Sequence, residues 1–212
     1  MQATTTLPPD YGRQASFNLL KSNKTKIGVI IFGIVLLIFG GWLLLQFTHF
    51  LRPNVLESIR FRHILTVTQD GQPSFTLPIV DIVVAVVLVT FIHELVHAVF
   101  CWWFAGQRPT IGFKGLFVYV AAPPEVYFPR NQYIIVSIAP MVLLTIVGLL
   151  LMLIVPVTGI SILSFFIIFN IAGSAVDLIM AIRLLFYSSD TIMQRGDTDL
   201  LIFGPEDKKA AA

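Results

Sequence analysis

Four long apolar runs dominate the chain, separated by shorter and more polar stretches; they cover about 27–47, 78–104, 132–155 and 159–187. A transmembrane helix needs about 20 mostly apolar residues, and each run reaches that length. The pattern predicts an all-α membrane protein, a polytopic helical bundle of about four transmembrane helices. Gly33, Gly40 and Gly41 in the first run allow a neighbouring helix to approach closely. The turn around Pro156 to Thr158 is very short, which makes the last two helices antiparallel neighbours. Pro140, inside the third run, reads as a kink or packing residue.

The polar stretches carry their own signals. Residues 1–23 include Pro8, Pro9 and Gly12 and read as a flexible tail or a surface segment. No small-residue cleavage site follows the first run, so that run is expected to be an uncleaved anchor. The longest loop, Thr48 to Leu77, has short-strand character over Phe61 to Val67 and a turn signal at Gln69-Asp70-Gly71-Gln72. A small hairpin and an interfacial segment both fit it. Phe113 to Val120 is rich in β-forming residues and strongly apolar for a solvated loop. A short β-hairpin after the second helix, dipping toward the membrane, would explain that, since irregular backbone at membrane depth must be buried in protein or line a cavity. The last stretch is polar apart from Leu200 to Phe203, a candidate surface strand. This divides the chain into an N-terminal tail (1–23), a membrane-embedded domain (24–187) and a C-terminal tail (188–212).

Composition agrees with the pattern. Of 212 residues, 56% are hydrophobic and only 12% charged, against roughly a quarter charged in a soluble domain. The net charge of +2 gives no argument for nucleic acid as a partner. One cysteine, Cys101, excludes an intramolecular disulfide. The distribution of basic residues says more. Arg13, Lys21, Lys24, Lys26, Arg108, Lys114, Arg130, Arg183, Arg195, Lys208 and Lys209 fall on one side of a four-span arrangement, and only Arg52, Arg60 and Arg62 on the other. The positive-inside rule then puts both termini in the cytoplasm.

The candidate chemistry lies in the second run, at His93-Glu94-Leu95-Val96-His97. Four residues apart on a helix, His93 and His97 stack their imidazoles on one face, about 6 Å apart. Such a pair can hold one zinc ion, with Glu94 as general base toward a metal-activated water. Ionisable groups in a membrane span are costly and mark a functional site by default. Chance matches to the motif occur, and the bland alternative is polar contact between helices.

A catalytic zinc site needs three protein ligands and one open position. His49 and His63 fall across the membrane from the motif, and Asp81 is about 18 Å from His93 along the helix. Asp177, in the fourth run, lies about ten residues from the cytoplasmic end of that run, against about seven for His97 and eleven for His93 in theirs. These matching depths make Asp177 the expected third ligand; a packing or Arg-pairing carboxylate is the alternative. Asn170, two turns away on nearly the same face, is a candidate for binding substrate backbone or steadying an oxyanion, with an interhelical hydrogen bond as the equal alternative. Cys101 shares the His97 face, but a fourth protein ligand would close the site, so it reads as small apolar filler.

His93 to Ala98, then Ile138-Ala139-Pro140, then Asn170 to Asp177 together resemble the membrane-embedded metalloproteases of the site-2 protease class. The chain is more closely similar to the bacterial family of putative zincin peptidases, over roughly residues 80–190. The resemblance implies His93, His97 and Asp177 as zinc ligands, Glu94 as base, a bacterial cell membrane, and membrane-spanning or membrane-associated peptide substrates. It also implies that the apolar strand after the motif pairs with unfolded substrate. The chain departs from the site-2 pattern at Val96, where glycine is usual, and at Leu178, which follows Asp177 in place of glycine. The expected function is therefore a membrane-embedded zinc metalloprotease. Its rivals are a non-catalytic metal-binding scaffold or inactive relative and, with few polar residues to line a path, a metal transporter.

Overall fold

The computed structural model describes residues 3–18, 22–51, 65–67, 73–75, 78–114, 117–195 and 199–206. The expected loop residues Arg52, Arg60, Arg62 and His63, and also Lys21, Lys208 and Lys209, lie outside the described residues. Among the described residues, five helices carry the fold: α1 (Asn23–Leu51), α2 (Ile79–Ala105), α3 (Arg130–Leu151), α4 (Val157–Gly173) and α5 (Ala175–Leu184). The helices α1, α2 and α3 are each long and apolar enough to cross a membrane, and α4 with α5 adds a fourth span if the bent pair is counted as one. That makes the chain a membrane protein by length and composition. Large apolar side chains such as Ile30, Ile38, Val80, Val87 and Phe91 are correspondingly exposed, as a lipid-facing surface requires.

The fourth run, expected as one helix, is bent by 40° at Ser174. The cause is local. Ser174 Oγ donates to the Asn170 carbonyl at 2.7 Å, in competition with the backbone ladder, and follows Gly173. Gly/Ser pairs and serine back-bonding are ordinary sources of helix kinks.

The glycines of α1 meet their expected neighbour. A Cβ on Gly40 would lie 3.3 Å from Ile171, and one on Gly33 would lie 3.5 Å from the Ala172 carbonyl. Thus α1 lies against α4 and the start of α5. On the other side of α4, a Cβ on Gly148 of α3 would come within 2.6 Å of Ile167 Cγ1. Leu44, Met152, Ile160, Ile167 and Ile168 fill the space between these helices.

Strands gather at one end of the bundle. Residues β1 (Tyr11–Phe17), β6 (Tyr127–Pro129), β7 (Ile192–Arg195) and β8 (Leu200–Pro205) form an antiparallel sheet in the order β1-β8-β7-β6. Its register pairs Tyr11 with Pro205, Ile192 with Phe203 and Phe128 with Met193. The candidate strand at Leu200 to Phe203 is therefore the middle of this sheet. The N-terminal stretch, expected as a loose tail or surface segment, contains its edge strand. Met193 and Ile202 are buried with Leu184 of α5, and the Arg183 guanidinium sits 4.1 Å over the Phe17 ring. Alternation of apolar and polar positions in so short a strand is a weak signal, and its partner lies at the far end of the chain.

Two hairpins complete the fold. The strands β2 (Leu65–Val67) and β3 (Pro73–Phe75) pair antiparallel in the first loop, as the hairpin expectation requires, while the turn signal at Gln69 to Gln72 lies outside the described residues. The expected hairpin after the second helix is β4 (Thr110–Lys114) with β5 (Phe117–Ala121), Ile111 opposite Val120. It follows directly on α2, which is closed by Gly106 at φ 65° with its N–H on the Trp102 carbonyl at 2.9 Å. That left-handed turn suits glycine and redirects the chain back toward the helix it has just left.

Candidate metal centre

The helix α2 carries His93, Glu94 and His97 in its second half. As the four-residue spacing requires, the two imidazoles are neighbours, with ring centroids 4.9 Å apart. Facing them is Asp177, in the first turn of α5, where the bend at Ser174 has turned the chain. Asp177 Oδ2 is 3.3 Å from His93 Nε2 and 3.6 Å from His97 Nε2. One donor atom from each of the three lies within 4.8 Å of the other two, which makes them a group able to hold a metal ion. Cys101 lies one turn beyond His97, buried against Ala122, Val126, Phe128 and Val136. Asp81 is buried in the first turn of α2, and Glu125 is exposed. None of these three belongs to the group.

The orientation of each ring follows from its other nitrogen. His97 Nδ1 is 3.0 Å from the Val136 carbonyl of α3. A carbonyl only accepts, so Nδ1 carries the hydrogen and a neutral ring presents its Nε2 lone pair toward Asp177. His93 Nδ1 is 3.1 Å from Asn170 Oδ1. The Asn170 amide has one possible direction, because its Nδ2 donates to the Pro140 carbonyl at 3.3 Å, the Met141 carbonyl at 3.2 Å and Thr145 Oγ1 at 3.2 Å. Its Oδ1 is therefore the acceptor, and His93 also presents Nε2 inward.

Three lone-pair-bearing atoms thus converge on one point. Without a cation they repel, so the arrangement calls for protons or a metal. The donor set can be compared with what zinc requires. Two neutral imidazoles and one carboxylate are a usual zinc set, and the hydrogen-bonded outer nitrogens are what metal-binding histidines ordinarily show. Tetrahedral zinc with ligands at about 2.0–2.1 Å separates its ligand atoms by roughly 3.3–3.4 Å. The spacings of 3.3 and 3.6 Å to Asp177 Oδ2 match that edge. The residues present fit zinc.

A model of the family described as "Putative zincin peptidase" matches residues 86–192, half of the chain, and spans the histidine motif, the hairpin, α3 and Asp177. The chain belongs to this family. Zincin membership implies zinc, which agrees with the donor set just described, and supports a metallopeptidase. No curated protein and no solved structure matches the chain.

Two further features of this zincin relative stand around the histidines. Asn170, a candidate for contacting substrate or for an interhelical hydrogen bond, is fully buried and stands behind His93, with its amide engaged on both sides. Glu94 Oε2 accepts a 2.7 Å hydrogen bond from the Val120 N–H of β5. The Val120 carbonyl in turn lies 3.5 Å from Arg195 Nη1 of β7. Both backbone groups of Val120 therefore point away from β4, and the outer edge of the hairpin stands at Glu94. The apolar composition of Phe113 to Val120 predicted a strand near the site; nothing in the composition identified the residue whose N–H reaches Glu94.

Proposed function

We propose that this chain is a membrane-embedded zinc metalloprotease, akin to the site-2 class, which hydrolyses peptide bonds in membrane-associated substrates. The observation that carries the reading is the convergence of His93 Nε2 and His97 Nε2 on Asp177 Oδ2, inside helices long enough to cross a membrane. His93, His97 and Asp177 would hold the metal. Zinc held there supplies Lewis acidity, acidifying a water and polarising a carbonyl. Glu94, next to His93 on the same helix, takes the proton of the attacking water and returns it to the departing amine. While it waits, the Val120 N–H holds its carboxylate in place.

The substrate approaches as an extended segment along the outer edge of β5. A strand added there would use the Val120 N–H and carbonyl, which Glu94 and Arg195 now occupy. Pairing with substrate would therefore release Glu94 at the moment a peptide bond arrives. The cytoplasmic placement of both termini is supported by the basic residues on that side and by the pairing of β1 with β8, which requires both ends on one face.

The test is the zinc content of the purified, detergent-solubilised full chain, measured by mass spectrometry beside His93→Ala and Asp177→Ala. About one zinc per chain, absent from both variants, is expected. Cleavage of a membrane-spanning reporter segment by the wild type, lost in Glu94→Gln, completes it. A wild type that takes up no supplied zinc would end the protease reading.

A further inference from the structure

Pro140 lies within α3 and is fully buried, one turn after Val136. In an α-helix the carbonyl of residue i−4 receives the N–H of residue i. Proline has no N–H, so at Pro140 the Val136 carbonyl is left without its helical donor. That is the carbonyl that His97 Nδ1 meets at 3.0 Å. One turn further on, the carbonyls of Pro140 and Met141 take the Asn170 amide, whose oxygen meets His93. Both histidines are therefore oriented from two successive turns of one helix. His97 is oriented directly, and His93 through Asn170.

We propose that Pro140 is a positioning residue of the metal centre: its missing N–H leaves the Val136 carbonyl to fix His97, and its turn anchors the Asn170 amide that fixes His93. This deepens the zinc-protease reading and rests on it. A residue with an N–H at position 140 would compete with His97 for the Val136 carbonyl. A ring free to turn or to change tautomer offers its lone pair to the metal only part of the time. Groups in this relation to a metal ligand typically change metal affinity about 10–100-fold.

The test compares three full-length proteins in detergent: the wild type, Pro140→Ala, and a chain with lactic acid at position 140. Lactic acid is the ester analogue of alanine, so it lacks both the proline ring and the N–H. Zinc affinity is read by competition with a chromophoric chelator. The ring tautomers are read from the nitrogen chemical shifts of ¹⁵N-histidine-labelled, metal-free protein, at a pH where both rings are neutral. We expect the wild type to carry hydrogen on Nδ1 of both histidines. In Pro140→Ala, His97 should lose that fixed tautomer and zinc affinity should fall about 10–100-fold. The lactic acid chain should recover both. Unchanged affinity and tautomer in Pro140→Ala overturn the inference, as does a lactic acid chain as impaired as the alanine one, because the ring would then be what matters. If neither variant folds, the wild-type shifts still decide, since a hydrogen on Nε2 of His97 excludes the proposed role. A wild type that binds no zinc removes the protease reading and this inference together, whereas a zinc-binding wild type with an unaffected Pro140→Ala removes only the inference.

Discussion

Replacing Asp177 by Asn tests the centre with the smallest change of shape. The side chain keeps its volume and loses its charge and one lone-pair-bearing oxygen. Structural zinc sites bind with apparent free energies of about 10–16 kcal/mol, shared among their ligands, which is roughly 3–4 kcal/mol for each. At about 1.4 kcal/mol per factor of ten, losing one ligand weakens zinc by roughly 10²–10³-fold. The same substitution also acts on α5, because Asp177 occupies that helix's first turn, where a carboxylate complements the dipole. That effect is about 0.3–1 kcal/mol and is too small to account for the loss of zinc. The two contributions separate by assay. Zinc affinity comes from chelator competition, and stability from thermal unfolding in detergent with the metal removed. We expect a large loss in the first and a minor one in the second. Retention of one zinc at wild-type affinity would refute the assignment of Asp177, and would leave its 3.3 and 3.6 Å approaches to the histidines as ion pairing alone.

Other substitutions probe the remaining parts. Glu94→Gln should bind zinc at wild-type stoichiometry while cleavage of a reporter segment falls about 10²–10⁴-fold; loss of zinc instead would make Glu94 a ligand. Cys101→Ala should leave zinc content unchanged, since a fourth protein ligand would occupy the position that water needs, and a fall in bound zinc would contradict that. Gly148→Ala would bring a Cβ within 2.6 Å of Ile167 Cγ1 and should destabilise the α3–α4 contact by about 1–3 kcal/mol in detergent unfolding. Adding Ile167→Ala should recover part of that loss, and a strictly additive double variant would show that the two residues do not meet.

The parts of the site legible in the sequence are those governed by helical periodicity and by length. A four-residue spacing stacks His93 on His97 whatever the rest of the fold does. Counting residues from the span ends put Asp177 at the same depth, and it stands beside both histidines. The depth estimate tolerated the bend at Ser174 because a 40° kink changes direction more than height. What was not legible depends on contacts between distant segments. The pairing of β1 with β8 joins opposite ends of the chain; the β8 segment was legible as a candidate strand at Leu200 to Phe203, whereas its partner β1 was not. For Asn170 an interhelical hydrogen bond was one of two equal readings, but its partners, the α3 carbonyls and His93, could not be named from its own helix.

Pro140 shows where further reading of the sequence was possible. A proline in an apolar run marks an unpaired carbonyl four residues earlier, here Val136, and a buried carbonyl needs a donor. In a span with few polar side chains the available donors are few. The histidines of the motif are foremost among them, because a zinc-binding imidazole has one nitrogen left over. The spare nitrogen and the spare carbonyl satisfy each other's need, at 3.0 Å between His97 and Val136. Water could serve both groups in a soluble protein, whereas in hydrocarbon each unmet polar group costs several kcal/mol. If the site lies within the membrane, as proposed, the low-dielectric surroundings that make it costly also dictate what must stand behind it. The helix defect and the ligand orientation have one solution.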